Sequence, residues 1–157
     1  MTEGTKRLAK GDALPEFSLL DQNGARVSSV DLLNQSAIIY FFPAAGSPGC
    51  TKEASDFELK LDEFQRLGFR VIGVSPDSVE KLKNFEEVHE LTFTLLSDPE
   101  LSAHKAFGAW GEKSLYGRLY KGVLRSTMIV SKGKIVDAMY NVKATGHTNM
   151  LLRRLGA

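Results

Sequence analysis

The only cysteine of the chain, Cys50, lies where a loop changes into a helical pattern. The loop, residues 43–49, contains two prolines and two glycines, and the residues after the cysteine have helical spacing. The first turn of a helix offers unpaired backbone N–H groups and the positive end of the helix dipole. Both favour the thiolate over the thiol, and the thiolate is the nucleophilic form. The position therefore indicates thiol-based nucleophilic or redox chemistry.

Two patterns predict the elements that position this thiol. The continuous apolar run 37–42 predicts a central strand that is covered on both faces of its sheet. After Cys50, apolar residues recur at helical spacing as far as Gly68, which predicts a helix that ends at this glycine. The apolar positions of this helix are Ala54, Phe57, Leu61, Phe64 and Leu67. A buried strand and an amphipathic helix would thus hold the loop between them.

The other segments predict an α/β fold. Asn23–Gly24 separates two short apolar runs and predicts an N-terminal β-hairpin with a type I′ turn. Residues 69–75 predict a second buried strand, and the helix that begins at Ser78 should bury Leu82, Phe85 and Val88. The later predicted elements are a short strand over 93–96, a short helix over 100–107, a hairpin of strands 127–130 and 134–140, and a closing helix over 147–155. This order indicates a thioredoxin-like fold, with a central mixed β-sheet flanked by helices.

The composition is that of an ordinary globular protein and argues against several other classes. The 157 residues suit one domain, 1–157, with one core, and the net charge of +1 gives no reason to expect nucleic acid or an anionic membrane as a partner. No apolar run approaches the ~20 residues of a membrane span. The polar residues 1–10 show no signal peptide and are expected to be frayed. Because a lone cysteine cannot form an intrachain disulfide, we expect the cytoplasm as the compartment.

The residues around the thiol resemble the peroxiredoxin signature. In that signature a proline is followed after three residues by Thr or Ser, and after two more by the cysteine; Pro43, Ser47 and Cys50 have this spacing. The Pro-Gly-Cys-Thr sequence of residues 48–51 and the Glu-Ala-x-Asp-Phe sequence of residues 53–57 resemble the PrxQ, or bacterioferritin comigratory protein, subfamily. Further similar stretches are residues 74–77, 96–99, 108–111 and 125–127, and residues 140–147 resemble the actinobacterial branch. The resemblance covers residues 11–155, nearly the whole chain.

The resemblance implies a thiol peroxidase that needs no metal, haem or flavin. Cys50 would attack hydrogen peroxide or an organic hydroperoxide and become a sulfenic acid. Pro43 would shield the thiolate, and Ser47 would hydrogen-bond the peroxide. Arg125 would hold positive charge beside both, and Glu53 would orient Arg125. Electrons would come from thioredoxin or a glutaredoxin-like donor, and the protein would be a monomer, as PrxQ-like proteins often are.

The chain departs from the PrxQ pattern at Ser55. A second, resolving cysteine commonly lies five residues after the first in that pattern, and Ser55 occupies this position. Two interpretations stay open: a one-cysteine peroxiredoxin, or a serine that stands where the natural protein has a cysteine. In either case the sulfenic acid has to meet an external thiol or be overoxidised.

Two other functions are compatible with the same residues. A thiol–disulfide oxidoreductase on this fold would normally carry Cys-x-x-Cys, but position 53 is a glutamate. A redox sensor or chaperone would signal through oxidation of Cys50 without rapid turnover. The histidines His89, His104 and His147 have no metal-ligand spacing, and we expect them at the surface or at helix caps.

Overall fold

The computed structural model describes residues 6–156, apart from the side chain of Leu115. The strands are β1 (Ser18–Asp21), β2 (Arg26–Ser28), β3 (Ser36–Phe41), β4 (Phe69–Ser75), β5 (Thr94–Ser97), β6 (Trp110–Leu115), β7 (Arg118–Val123), β8 (Ser126–Ser131) and β9 (Lys134–Met139). The helices are α1 (Pro48–Leu59), α2 (Leu61–Arg66), α3 (Val79–His89), α4 (Ser102–Ala106) and α5 (His147–Arg154), with a 3₁₀ helix at Ser29–Leu32. No helix in this described part of the chain is long and apolar enough to cross a membrane.

The main sheet is mixed and has β3 near its centre. Its strand order is β2-β1-β5-β4-β3-β8-β9. Strand β3 pairs in parallel with β4 and antiparallel with β8, and β4 pairs in parallel with β5. Because β3 has neighbours on both edges and packing on both faces, its residues 37–41 are all buried, which explains the unbroken apolar run. The predicted thioredoxin-like fold, with a mixed sheet and an N-terminal hairpin, is confirmed.

Side chains along β3 point alternately to the two faces of the sheet, and Phe42, directly after the strand, continues this alternation. One face contributes Ile38, Tyr40 and Phe42 to the core that contains α1 and Cys50. The other face contributes Ala37, Ile39 and Phe41 to a second core with α4. The alternation therefore places Tyr40 beneath the helix that carries the cysteine.

The N-terminal hairpin is present, but its turn is not type I′. That turn needs a positive φ at both central residues, and of Asn23 and Gly24 only the glycine has one, at φ 81°. The Asp21 N–H donates to the Ala25 carbonyl at 2.8 Å, which closes a three-residue loop. The Asp21 carboxylate accepts hydrogen bonds from the N–H groups of Asn23 and Ala25. The Asp21 side chain therefore stabilises a three-residue loop in place of the two-residue type I′ turn. The Asn-Gly pair alone does not indicate this role of Asp21.

Strands β6 and β7 form a separate two-stranded sheet that the sequence patterns did not predict. Most of β7 is exposed, including Leu119 with 70% of its surface in solvent. A strand without a continuous buried face has no clear apolar alternation to detect. Strand β7 ends at the buried Val123, the buried Leu124 follows it, and Arg125 comes next. The hairpin thus leads the chain back to the central sheet at Arg125.

Two helical predictions need correction. The helix predicted from Cys50 to Gly68 is interrupted at Lys60, whose φ of −105° and ψ of 10° lie outside the helical range, so α1 and α2 are separate. Val88 is 62% exposed, although it was predicted on the buried face of α3. The residues of α3 that are buried in the core are Leu82 and Phe85. Val88 continues the same apolar spacing, but the last turn of the helix, where it lies, is not covered by the core.

The segment before β1 is attached to the rest of the fold by hydrogen bonds at Leu8 and Gly11. The Leu8 N–H donates to the Tyr140 hydroxyl at 2.8 Å, and the Gly11 N–H donates to the Ile135 carbonyl at 2.8 Å. Part of the segment 1–10, for which fraying was predicted, is therefore hydrogen-bonded to the fold through Leu8, and its residues 1–5 lie outside the described residues.

Candidate active site

The loop at the end of β3 places Cys50 in the first turn of α1. Ser47 is the N-cap: its Oγ accepts a hydrogen bond from the Cys50 N–H at 3.4 Å and donates to the Ala44 carbonyl at 2.9 Å. Pro48 is the first helical residue, where a missing N–H costs nothing. Pro43, half-buried, lies in the loop directly after β3. Local sequence thus determines that the thiol lies at a helix N-terminus.

Arg125 reaches the sulfur of Cys50 from the connection between β7 and β8. Its Nη2 donates to Sγ at 3.3 Å, and only 1% of the surface of Cys50 is exposed. Gly49 allows this approach, because a Cβ at that position would lie 3.3 Å from Nη2. A guanidinium and a helix N-terminus therefore act on one buried sulfur, and both stabilise negative charge on it.

Glu53 holds the other side of the same guanidinium. Nη1 of Arg125 donates to Oε1 of Glu53 at 2.6 Å, and Glu53 has no exposed surface. Burial raises the pKa of Glu53 to about 7, although the neighbouring Arg125 opposes this rise. Burial alone would lower the pKa of Arg125, but the charges of Glu53 and Cys50 outweigh it and raise that pKa. The guanidinium thus stays charged between two acidic groups.

The structure brings together most, but not all, of the candidate residues. Direct hydrogen bonds link Ser47 to the Cys50 backbone, Arg125 to the Cys50 sulfur, and Glu53 to Arg125. Ser55 is exposed on α1, whereas Cys50 is buried. In an α-helix, Cα atoms five residues apart are separated by about 8–9 Å. Ser55 therefore does not belong to the cluster around the sulfur.

Asp77 fixes the loop that carries the site, and the sequence reasoning assigned it no role. Its Oδ2 accepts hydrogen bonds from the Ala45 N–H at 2.7 Å and from the Ser75 hydroxyl at 2.9 Å. Ala45 is two residues before the N-cap Ser47. The signal in the sequence is the position of Asp77 just beyond a strand that runs parallel to β3, because the carboxyl ends of parallel strands share one edge of the sheet.

We expect Asp77→Ala to slow the oxidation of Cys50 by hydrogen peroxide roughly tenfold, since a hydrogen bond to a charged group contributes about 1.5–3 kcal/mol. Loss of this bond would loosen the loop and misplace Ser47. Single-turnover stopped-flow kinetics measure the rate. The matched control is Lys81→Met, which removes the ion pair to the other oxygen of Asp77 at 3.2 Å and leaves the Ala45 bond intact. Equal losses in both variants would show that the loop tether is not the cause.

Two of the three histidines are buried, so the expectation of surface or capping positions is wrong for them. His147 is 3% exposed, and its Nε2 lies 2.8 Å from the Thr127 hydroxyl. His104 has no exposed surface, and its Nδ1 lies 2.7 Å from the Asp98 carboxylate. One nitrogen of each ring thus has a partner outside its own helix, although Nε2 of His104 has none among the described residues, and sequence spacing does not reveal such partners. Within residues 6–156 no group of three or more acidic, histidine or cysteine side chains could hold a metal ion.

His147 should make stability depend on pH. Burial lowers its pKa from 6.5 to about 4, and the charges of Arg125 and Arg154 act in the same direction. Between these two values the unfolded chain binds a proton that the folded protein does not, so stability falls as the pH falls. We expect wild type to lose about 2–3 kcal/mol more than His147→Asn between neutral pH and about pH 4.

Urea unfolding of both proteins across this pH range measures the effect, and taking the difference removes contributions that the two share, such as that of Glu53. Parallel pH profiles would show that His147 titrates equally in the folded and unfolded states.

The fold and the site together define a class: thioredoxin-like proteins that hold one buried thiol against an arginine at a helix N-terminus. The family model described as the AhpC/TSA family matches residues 10–139, and the chain belongs to that family. Peroxiredoxin Bcp of Escherichia coli K12 is 41% identical over 149 residues, which are 94% of this chain and 96% of that protein. A Mycobacterium tuberculosis protein with a provisional peroxiredoxin name is 51% identical over 152 residues, covering 96% of this chain and 97% of that protein.

Solved structures agree with this family. A mutant of Xylella fastidiosa PrxQ matches with a TM-score of 0.87 and 32% identity, covering 96% of both chains. The Xanthomonas campestris bacterioferritin comigratory protein, described in connection with alkyl peroxide reduction, matches with a TM-score of 0.84 and 34% identity, covering 92% of this chain and 97% of that one. The resemblance to the PrxQ subfamily is confirmed. The protein is a thiol peroxidase, an enzyme that reduces peroxides with electrons from a thiol.

Proposed function

We propose that Cys50 is the peroxide-reducing thiol and that hydrogen peroxide and organic hydroperoxides are its substrates. The observation that carries this proposal is the 3.3 Å contact between the Arg125 guanidinium and the Cys50 sulfur, made at the first turn of α1. A fixed cation beside a thiolate stabilises the charge that moves onto the leaving oxygen as the O–O bond breaks. The site thus supports both the nucleophile and the transition state.

In the proposed reaction the thiolate attacks the terminal peroxide oxygen. A sulfur–oxygen bond forms, the O–O bond breaks, and the leaving oxygen takes up a proton as water or alcohol. The Ser47 hydroxyl already donates to the Ala44 carbonyl, so its lone pairs face the Cys50 N–H and are open to a peroxide O–H. Pro43, half-buried in the same loop, would keep water from the sulfur. Glu53 would hold Arg125 in place.

A small oxidant can approach from the side of Ser47 and Arg125. Ser47 is partly exposed, and 17% of the Arg125 side chain is in solvent, while Cys50 itself is 1% exposed. The sulfur therefore lies just beneath the surface formed by the two residues that would bind the peroxide. This arrangement favours small molecules over large thiol substrates in the first step.

Addition of one equivalent of hydrogen peroxide tests the assignment. Stopped-flow kinetics should show oxidation far faster than that of a free thiol, and mass spectrometry should then show one added oxygen on the Cys50 peptide. A mixed disulfide should form when a thiol is added afterwards. Oxidation at the rate of a free thiol would contradict the proposal and would instead favour a redox sensor.

For the second half of the cycle we propose thioredoxin or a glutaredoxin-like protein as the thiol donor. Cys50 is the chain's single cysteine, so no second thiol of this chain can resolve its sulfenic acid. The donor thiol attacks the sulfenic sulfur, water leaves, and a second donor thiol releases Cys50 as its disulfide forms. Because Cys50 is buried, a protein donor requires the first turn of α1 to open. Steady-state turnover with each donor measures the preference.

Ser55→Cys should supply an internal resolving thiol and change the product of peroxide treatment. Two Cα atoms about 8–9 Å apart on one helix cannot form a disulfide without backbone movement, so α1 has to unwind locally. With excess peroxide and no reductant, we expect wild type to gain two or more oxygens and lose activity, while the variant loses two hydrogens and recovers with a reductant. Mass spectrometry distinguishes the products, and Ser55→Ala is the control. If the Ser55→Cys protein is overoxidised and inactivated like wild type, α1 does not open enough for the disulfide to form.

We also propose that the enzyme works as a monomer in a reducing compartment such as the cytoplasm. The monomer is what the resemblance to PrxQ-like proteins implies, and a cycle that needs a thiol donor supports the compartment. Light scattering after size exclusion measures the mass directly, and a dimer in either redox state would contradict the first statement.

A further inference from the structure

The segment that follows β9 lies against Arg125, and the proposed mechanism makes no use of it. It runs from residue 141 to His147, where α5 begins. The family model ends at residue 139, so the segment lies beyond the matched residues. Strand β9 ends where β8 begins, with Met139 opposite Thr127. The chain therefore leaves β9 close to Arg125, which directly precedes β8.

The segment passes close to both ends of Arg125. Arg125 lies between β7 and β8 and belongs to neither strand. Its carbonyl accepts a hydrogen bond from the Val142 N–H at 2.9 Å. A Cβ on Gly49 would lie 3.3 Å from Nη2 of Arg125 and 3.9 Å from the Cβ of Ala144. The backbone of the arginine and the surroundings of its guanidinium thus both depend on this segment.

His147 connects the strand that follows Arg125 to the helix that carries Cys50. Its Nε2 lies 2.8 Å from the hydroxyl of Thr127, two residues beyond Arg125 on β8. Its ring lies edge-on to the ring of Phe57 on α1, with the ring centroids 6.3 Å apart and the planes at 81°. Thr127 and Phe57 have no exposed surface. One buried ring therefore contacts both elements whose side chains meet at the sulfur.

The ring of His147 is uncharged at neutral pH. Burial lowers its pKa to about 4, and the charges of Arg125 and Arg154 act in the same direction. A neutral imidazole has one donor and one acceptor nitrogen, so the Thr127 hydroxyl can pair with Nε2 in either tautomer. His147 therefore contributes a hydrogen bond and ring packing to this site, and no second positive charge.

The position of the Arg125 guanidinium depends on the spacing between β8 and α1. Its Nη2 donates to the Cys50 sulfur at 3.3 Å and its Nη1 to Glu53 at 2.6 Å, and both partners lie on α1. The backbone of Arg125, in contrast, directly precedes β8. A side chain that joins two elements keeps its geometry only while the elements keep their spacing. A misplacement of about 1 Å in a reacting site can cost about 10²-fold in rate.

We propose that His147 is a positioning residue for the reduction of peroxide. By contacting Thr127 and Phe57 at once, it fixes the spacing between β8 and α1. That spacing keeps Arg125 at hydrogen-bond distance from the Cys50 sulfur. The hydrogen bond of His147 goes to Thr127 and not to the sulfur, so His147 acts through Arg125. This inference deepens the proposed function and rests on Cys50 being the thiol that attacks the peroxide.

A double-mutant cycle with Arg125→Ala tests this role in single-turnover oxidation by hydrogen peroxide. The side chain of His147→Asn is too short for the Thr127 bond, and we expect this variant to oxidise about tenfold to a hundredfold more slowly than wild type. In the Arg125→Ala background the same change should cost less than about twofold, because no guanidinium is left to position. Equal losses in both backgrounds would overturn the proposal, since His147 would then support Cys50 without Arg125.

Thr127 offers a test that leaves the histidine in place, and it decides the question alone if His147→Asn does not fold. Thr127→Val keeps the shape of the side chain but removes the hydroxyl that pairs with His147, and should slow oxidation about threefold to tenfold. Thr127→Ser keeps the hydroxyl and should restore most of the wild-type rate. A Thr127→Val protein as fast as wild type, or a Thr127→Ser protein as slow as Thr127→Val, would contradict the positioning role.

His104→Asn is the matched control, because His104 is also a buried histidine with one hydrogen-bonded nitrogen. It lies on the opposite face of the sheet, where its Nδ1 is 2.7 Å from Asp98 and its ring lies edge-on to Phe41. His104→Asn should lower the free energy of unfolding in urea and leave the oxidation rate unchanged. A loss of rate as large as that of His147→Asn would show that general stability, and not the position of Arg125, sets the rate.

Mass spectrometry of the oxidised samples separates this inference from the proposed function. If Cys50 of wild type gains no oxygen, the proposed function fails. If Cys50 gains one oxygen and both His147→Asn and Thr127→Val oxidise at the wild-type rate, only the positioning role fails.

Discussion

Cys50→Ser should reduce peroxide turnover to the level of the buffer. A serine hydroxyl cannot cycle through a sulfenic acid, and no other cysteine in the chain can replace the lost thiol. The backbone arrangement should persist, because the N-cap bond of Ser47 goes to the backbone N–H of residue 50 and not to its side chain. Loss of activity should therefore occur in a folded protein.

The measurement for Cys50→Ser is peroxide consumption with a thiol donor, beside circular dichroism and urea unfolding of the same sample. Ser55→Ala, an exposed change on the same helix, is the matched control and should keep full activity. Thiol-dependent turnover by a folded Cys50→Ser protein would mean that the reacting group lies elsewhere.

Arg125→Ala should lower the rate of Cys50 oxidation by about 10²–10³-fold, the loss typical of removing one fixed donor to a developing oxyanion. Ionisation of the thiol cannot account for rapid attack by itself. A more acidic thiol provides more thiolate at neutral pH, but each thiolate is a weaker nucleophile, and over an ordinary range the two effects nearly cancel. The guanidinium should therefore act mainly in the transition state.

Two measurements separate these contributions for Arg125→Ala. Ultraviolet absorbance reports the thiolate fraction, and stopped-flow kinetics report the oxidation rate. Removing Arg125 also leaves the Glu53 carboxylate buried without its partner, so Arg125→Lys, which keeps the charge, is the second variant. Arg118→Ala on the exposed strand β7 is the control. A loss of rate that the loss of thiolate fully explains would defeat the transition-state role.

The part of the site that is contiguous in sequence could be predicted from sequence. Ser47, Pro48 and Cys50 act through a helix cap, a first-turn proline and a first-turn thiol, and these depend on neighbours within a few residues. The central strand was equally predictable, because a strand buried on both faces needs an unbroken apolar run. The β6–β7 sheet was not, since exposed strands need no such pattern.

Arg125 and Glu53 were assigned by resemblance, and the arrangement of their atoms comes from tertiary structure. Arg125 lies 75 residues after Cys50 in the sequence, directly before β8. The guanidinium of Arg125 meets the Cys50 sulfur only because the mixed sheet pairs β8 with β3. Glu53 reads in the sequence as an ordinary carboxylate of a first helical turn; its complete burial raises its pKa to about 7.

Asp77 shows the same division. A Ser-Pro-Asp sequence at the end of a strand does not indicate which loop the aspartate will hold. The sequence by itself determined the fold class, the helix start and the reactive thiol, because these depend on local hydrogen bonding and on apolar periodicity. Tertiary structure alone decided which charges face that thiol and how strongly, because distance and burial, which set electrostatic energies, arise only when distant segments pack together.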